Sequence, residues 1–332
     1  MPDQLNPPAF EDIAAASGRI QGQAVHTPLL NSAYLDEVAS CRVFLKPECL
    51  QRTGSFKFRG AYNTISAMTA DEREAGVVAV SSGNHAQGVA EAARLHGIPA
   101  TIIMPADAPK TKIDRTRRLG AEVILYDRMK EDREAIAAEH CRRTGAAFIH
   151  PFNDPRVIAG QGTAALEACR DLRAQGEVLD EVLVPAGGGG LASGTALSVA
   201  HHFPEAVIHT CEPEGFDDYR RSLASGMRER NAVEGGSVCD AILTPGPGDI
   251  GFAINRRLAG EGFAVSDEEA LRAVAFAFRE LKLVVEPGGA VALASLFRHR
   301  DRLAGKTVLV VLSGGNIDPE MLQRAMEQPE TA

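Results

Sequence analysis

Six short apolar runs recur along the chain, several already followed by a segment that can form a helix, and this alternation restricts the fold more than any other feature. In the first half, strands are predicted over Gly76–Ser81, Ala100–Met104 and Ala121–Tyr126, with helices over Asn84–His96, Pro109–Leu119 and Asp132–Arg143. In the second half the predicted strands are Glu181–Pro185, Ala206–Thr210 and Val308–Leu312. Apolar strands spaced by helices of about 10 to 15 residues imply parallel sheets covered on both faces. An amphipathic helix from Phe10 to Ile20 and extended segments at His26–Leu30 and Val43–Pro47 come first. Ser266 and Glu269 form a capping box for a helix predicted to reach Lys282. Thr244–Asp249, rich in Gly and Pro, reads as a rigid surface loop. At 332 residues the chain exceeds what one core usually holds. The expected architecture is therefore α/β, with two doubly wound parallel-sheet lobes meeting at a cleft, and ligands bound at the carboxyl ends of the strands.

A net charge of -9 gives no basic face, so neither nucleic acid nor an anionic membrane is an expected partner. A small molecule fits better. The six cysteines, Cys41, Cys49, Cys141, Cys169, Cys211 and Cys239, contain no C-x-x-C pair and read as reduced thiols. Met1–Pro8 carries no basic residue ahead of an apolar core, and no apolar run has the length of a membrane span. Cytoplasmic residence is the expectation.

One lysine stands in a setting suited to chemistry. Lys57 follows a Gly-Ser turn, opens a predicted helix and is flanked by Phe56 and Phe58. Exclusion of water lowers an ammonium pKa toward that of a free, nucleophilic amine. Three Gly-rich turns follow predicted strands. In Gly187-Gly188-Gly189-Gly190-Leu191, four glycines in a row let backbone amides converge on an anion at a helix start, and a phosphate is the natural guest. No lysine follows them, which argues against a nucleoside-triphosphate loop. In Ser81-Ser82-Gly83-Asn84-His85, amides and hydroxyls suit a carboxylate, and Asn84 can donate to a ring oxygen. After the last strand, Ser313 could face the nitrogen of a heterocycle, a neutral partner that would leave it unprotonated. Amine, phosphate cradle, carboxylate turn and ring-nitrogen partner together describe an aldehyde cofactor with a phosphate arm, pyridoxal 5'-phosphate.

The segments Thr53–Ala61, Ser81–Gln87, Gly187–Gly190, Glu286–Gly289 and Ser313–Asn316 resemble, in that order, the fold-type II pyridoxal-phosphate enzymes. More narrowly, the chain is similar to their branch of threonine dehydratases, serine racemases and 3-hydroxyaspartate dehydratases. The resemblance implies a tryptophan synthase beta-like fold, with residues 1–70 and 150–332 forming a large cofactor-binding domain and 71–149 a small gating domain. It implies that Lys57 carries the cofactor and moves protons, that Phe56 supports its ring, and that Asn84 bonds its phenolic oxygen. Gly187, Gly188, Gly189, Gly190 and Leu191 would hold the phosphate, Ser313 would face the ring nitrogen, and Glu286 would line the pocket. Ser81, Ser82, Asn84 and His85 would receive the substrate carboxylate, with Arg133 nearby. Glu212, Asp218 and the carbonyl of Phe216 match a structural magnesium or calcium site.

The activity implied is a dehydratase that converts a beta-hydroxy amino acid of the L-threonine or L-serine type to a 2-oxo acid and ammonia. The rivals are 3-hydroxyaspartate or a bulkier 3-hydroxy amino acid as substrate, and serine or aspartate racemisation. Ser82 admits the racemase, since threonine dehydratases commonly have alanine there. Ala241 stands where these families often have glycine, which bears on side-chain selectivity. A homodimer is expected from the resemblance. From another class, Gly187-x-Gly189-x-x-Ala192 with Glu212 fits a loose dinucleotide fingerprint.

Overall fold

The computed structural model describes residues 6–233 and 235–329, so the first five residues of the segment read above as lacking a secretory signal lie outside the described part. Among the described residues there are ten strands: β1 (Leu30–Asn31), β2 (Arg42–Pro47), β3 (Val77–Val80), β4 (Ala100–Pro105), β5 (Glu122–Tyr126), β6 (Ala147–Phe148), β7 (Glu181–Pro185), β8 (Val207–Pro213), β9 (Phe263–Val265) and β10 (Thr307–Leu312). They form two sheets, ordered β1-β2-β10-β7-β8-β9 and β5-β4-β3-β6. Only the β1–β2 pair is antiparallel. The molecule is thus α/β with two parallel-sheet lobes.

Strand order explains where a ligand can go. In the small sheet the chain steps from β3 out to β4 and β5, then returns to the other side of β3 as β6. In the large sheet it steps from β7 to β8 and β9, then returns beside β7 as β10. Each reversal opens a crevice at the carboxyl ends of the flanking strands, because their connections leave toward opposite faces. The serine turn follows β3, the four-glycine turn follows β7 and the Ser313 turn follows β10. All three therefore lie at a reversal.

The helix ends obey local chemistry. The side chains of Asp132 and Asp154 accept from the first turns of the Arg133–Thr144 and Pro155–Ala174 helices, and Pro155 supplies a fixed φ where no N–H is needed. The Ser266–Glu269 capping box forms as read, but its helix stops at Arg279. Buried Leu283 folds its N–H back onto the Ala277 carbonyl at 3.0 Å, which turns Lys282 left-handed at φ 58°.

The Pro155–Ala174 helix has no counterpart in the sequence reading. Thirteen of its residues are buried, so it shows no polar stripe to reveal a helical period. It packs backbone to backbone on both neighbours. A β-carbon on Gly160 would meet Gly60 Cα at 2.6 Å, and one on Gly194 would meet Gly162 N at 2.5 Å. The Lys57–Ser66 and Gly190–His202 helices are held by these contacts.

A buried ionic network fixes the helix that begins at Lys57. Arg59 is fully buried, with Nε 2.7 Å from Glu48 Oε2 and Nη1 2.7 Å from Glu167 Oε1. Lys46 donates to Glu167 Oε2 at 2.7 Å and Thr27 donates to Glu48 Oε1 at 2.7 Å. Burial opposes the charges of Lys46, Glu48 and Arg59. The carboxylates nonetheless hold Arg59 above its ordinary pKa, and Arg59 holds Glu48 below its own. Among the described residues no helix is long and apolar enough to cross a membrane. All six cysteines are unpaired.

Candidate active site

The turn before Lys57 is stitched to the turn after β10. Thr53 and Gly54 are left-handed at φ 64° and 76°, Ser55 bridges Gly314, and Phe56 N donates to Ser313 O at 3.1 Å. Lys57 then opens its helix with Nζ donating to Pro151 O at 2.8 Å and lying 5.1 Å from the Phe56 ring centroid. The amine borders open cleft space yet is surrounded by protein, and burial lowers its pKa from 10.5 to about 8. Among the described residues no carboxylate is bonded to it, which separates it from Lys46 and Arg59.

Phe56, Lys57, Ser81, Ser82, Asn84, His85, Arg133, Gly187 to Leu191, Glu286 and Ser313 all border one cleft of about 1100 Å³ between the lobes. Residues far apart in the chain are thus gathered as the motifs require. Thr244–Asp249 borders it too, which corrects the reading of that stretch as a surface loop. Gly248 N donates to Gly188 O at 3.0 Å, and Asn153 Oδ1 accepts from Ile250 N at 3.0 Å, so the stretch is a wall of the cleft.

The four-glycine turn is as crowded behind as it is open in front. A β-carbon on Gly188 would lie 2.2 Å from the Phe152 ring, and one on Gly189, at φ 92°, would lie 1.7 Å from the Tyr219 hydroxyl. Only glycine fits, and the first-turn amides of the Gly190–His202 helix remain as donors for an anion. A buried amine of lowered pKa and a cradle that side chains would fill suit an aldehyde with a phosphate arm.

The serine turn is partly self-satisfied, since Gly83 N donates to Ser81 Oγ at 3.2 Å. Asn84 spans the cleft: its Nδ2 donates to Glu286 Oε1 at 2.6 Å and its Oδ1 accepts from Asn316 Nδ2 at 2.7 Å. Burial pushes Glu286 up to about 7 against that hydrogen bond. His85 Nε2 lies 2.9 Å from Ile149 O, so this nitrogen carries the proton. Burial, then the charge of Lys57, lower His85 to about 3 and keep the ring neutral. Arg133 opens its helix at the exposed mouth of the cleft.

Three groups at the site were not singled out from sequence. His150, after the two-residue β6, accepts from Asn153 N at 2.8 Å and orders the loop whose Pro151 carbonyl receives Lys57. Lys112 reaches across the cleft to Asp240 at 3.1 Å. Tyr219 lies behind the glycines. The signal for the first was present in His150-Pro-Phe-Asn153, a polar and aromatic knot just before a helix cap, but a strand of two residues is too short to mark it.

The carboxylates of the expected cation site are buried. Glu212 accepts from Tyr219 N and Arg220 N, both at 2.8 Å, and lies in β8, which extends past the predicted end to Pro213. Asp218 Oδ1 accepts from Asn231 at 2.6 Å, while its Oδ2 is buried with no partner. Burial and the neighbouring Asp218 raise Glu212, and burial raises Asp218 to about 6. An orphaned carboxylate oxygen beside a second buried carboxylate fits a hard cation. Among the described residues no group of three or more His, Cys, Asp or Glu side chains is placed to hold a metal ion.

Two parallel-sheet lobes, with a buried lysine and an anion cradle on the cleft between them, make an α/β scaffold suited to a phosphate-bearing aldehyde. The family described as "Pyridoxal-phosphate dependent enzyme" matches residues 20–314. The L-threonine ammonia-lyase of Thermotoga maritima is 44% identical over 320 residues, covering 96% of this chain and 78% of that protein. An L-threo-3-hydroxyaspartate ammonia-lyase of a Pseudomonas species is 42% identical over 312 residues, covering 94% and 96%. The structure of maize serine racemase superposes with a TM-score of 0.90 at 34% identity, covering 97% of each chain. The chain belongs to the pyridoxal-phosphate dependent enzymes, and its fold is that of fold type II.

Proposed function

We propose that this protein is a pyridoxal-phosphate-dependent ammonia-lyase that converts a beta-hydroxy-alpha-amino acid of the L-threonine or L-serine type to a 2-oxo acid and ammonia. The observation that carries it is the Lys57 amine, donating to a backbone carbonyl and with no carboxylate bonded to it among the described residues, on the same cleft as the four-glycine turn. When bound, the cofactor supplies an electron sink for the charge left at the alpha carbon.

The residues then divide the work. Lys57 would anchor the cofactor and, as a free neutral amine, would take the alpha proton. Gly187 through Leu191 would hold the phosphate, Phe56 would support the ring, Asn84 would donate to the phenolic oxygen and Ser313 would serve the ring nitrogen. Glu286 sets the orientation of the Asn84 amide. Ser81, Ser82, Asn84 and neutral His85 take the substrate carboxylate, and Arg133 at the cleft mouth suits a second acidic group. A magnesium or calcium ion at Glu212, Asp218 and the Phe216 carbonyl would be structural. Closure of residues 71–149 over the rest, a homodimer and a cytoplasmic location belong to the same proposal and rest on the family resemblance.

Racemisation is the second reading, favoured by Ser82, a hydroxyl on the cleft wall in the turn after β3. One serine enantiomer incubated in deuterium oxide separates the two. Pyruvate and ammonia support elimination, and inverted, deuterated serine supports racemisation. A panel of threonine, serine and 3-hydroxyaspartate isomers, read by 2-oxo acid release, ranks the substrates. No 2-oxo acid from any of them refutes the proposal.

A further inference from the structure

Tyr219 is wholly buried and is not part of the cleft wall. Its hydroxyl nonetheless reaches the underside of the glycine turn. A β-carbon on Gly189 would lie 1.7 Å from that oxygen, and one on Gly251 would lie 2.9 Å from it. The same spot gathers further polar atoms. Ser193 Oγ is 2.7 Å from Gly189 O and 3.1 Å from Gly251 O, and it accepts from Asn255 Nδ2 at 3.0 Å. The Tyr219 hydroxyl is buried among them, against the side chains of Asn255 and Ser193. At the other end of the residue, the backbone N–H of Tyr219 donates to Glu212 Oε1 at 2.8 Å. The ring therefore runs from the start of the Asp218–Ser225 helix to the back of the turn.

We propose that Tyr219 is a positioning residue for phosphate binding: the phenol end of its ring holds the Gly187–Gly190 turn from behind at the spacing an anion requires. Gly189 is left-handed at φ 92°, and the hydroxyl fills the space where a side chain on this residue would lie. An anion site made of backbone amides gains from being held in place before the ligand arrives, because nothing then has to reorganise on binding. The proposal rests on the reading that this turn grips the phosphate of the cofactor.

The discriminating probe is pyridoxal, which has the same aldehyde and ring but no phosphate. Affinities of pyridoxal and pyridoxal 5'-phosphate for the apoprotein are measured by absorbance and by reductive trapping on Lys57, in wild type, Tyr219→Phe and Tyr219→Leu. Tyr219→Phe should weaken pyridoxal 5'-phosphate about tenfold, because a turn no longer held from behind must reorganise to meet the phosphate, and leave pyridoxal nearly unchanged. Tyr219→Leu should enlarge that difference, and if it fails to fold Tyr219→Phe decides alone. A ratio of the two affinities equal to wild type overturns the proposal, whether both are retained or both fall together. Absence of any adduct in the wild type would instead remove the functional reading, and the proposal with it, and is recognised before any variant is compared.

Discussion

The rate at which the apoprotein captures pyridoxal 5'-phosphate should follow the fraction of Lys57 present as free amine. Burial lowers this group from 10.5 to about 8, and its bonded partner is the Pro151 carbonyl, which offers no negative charge to restore it. At pH 7 an amine of pKa 8 is about 9% neutral, against about 0.03% at 10.5, a ratio of about 300 or about 3.4 kcal/mol between protonation states. The sign is fixed: lowering the pKa enlarges the reactive fraction at neutral pH, so capture accelerates through the range near 8 and levels off above it. Stopped-flow absorbance across this range reads the midpoint, and Lys57→Ala should abolish the reductively trapped adduct. His85 and His150, lowered by burial and then by Lys57 to about 3 and about 4, do not titrate in that window. Glu286 does, having been raised by burial to about 7, so the profile is repeated in Glu286→Gln. A rate still climbing at the ordinary lysine pKa would refute the reasoning, and so would a midpoint that vanishes with Glu286→Gln.

Further outcomes follow from the same geometry. Gly189→Ala places a methyl 1.7 Å from the Tyr219 hydroxyl at a left-handed φ, so cofactor affinity measured by absorbance titration should fall by at least about tenfold. If Glu212 and Asp218 hold a cation, magnesium or calcium at about 100 times its Kd should raise stability by about 2.7 kcal/mol. Thermal unfolding with and without chelator reads this, and Asp218→Asn should abolish the difference. The Lys112–Asp240 pair joins the lobes, but Asp240 is largely exposed, so Lys112→Met should cost no more than about 1 kcal/mol, seen as up to about a fivefold rise in KM. Arg59→Met leaves Glu48 buried without its cation and Glu167 with Lys46 alone, and urea unfolding should show a loss of about 3–5 kcal/mol.

What could be read from the sequence depended on periodicity and on glycine. Strands buried on both faces, such as Val77–Val80 and Thr307–Leu312, announce themselves as unbroken apolar runs, and the Gly-rich turns after them mark the carboxyl ends. The site was therefore legible wherever backbone alone makes it. The Pro155–Ala174 helix was not, because near-complete burial removes the polar stripe. β9 and β6 were too short to stand out. Thr244–Asp249 was misplaced because the composition of a Gly/Pro loop says nothing of what packs on it. Asn84 and Glu286 lie 202 positions apart, and no local pattern reports that the Asn84 amide donates to the Glu286 carboxyl.

The same limit explains why a lysine cannot be judged by its neighbours in sequence. Lys46 and Lys57 stand eleven positions apart, and both are enclosed by protein. Burial lowers both, but Glu48 and Glu167 pull Lys46 back toward its charged form, whereas Lys57 has a carbonyl alone. A buried ammonium with a carboxylate is a structural cation, held in place by the pair it completes. A buried ammonium without one can lose its proton near neutral pH and attack a carbonyl. Glu167 belongs to the helix that the sequence concealed, so the partner that makes Lys46 structural appears only once the Pro155–Ala174 helix is packed. Its Glu167 carboxylate also pairs with Arg59, two residues beyond Lys57, and with both cations bound to it the amine at position 57 is left to burial alone.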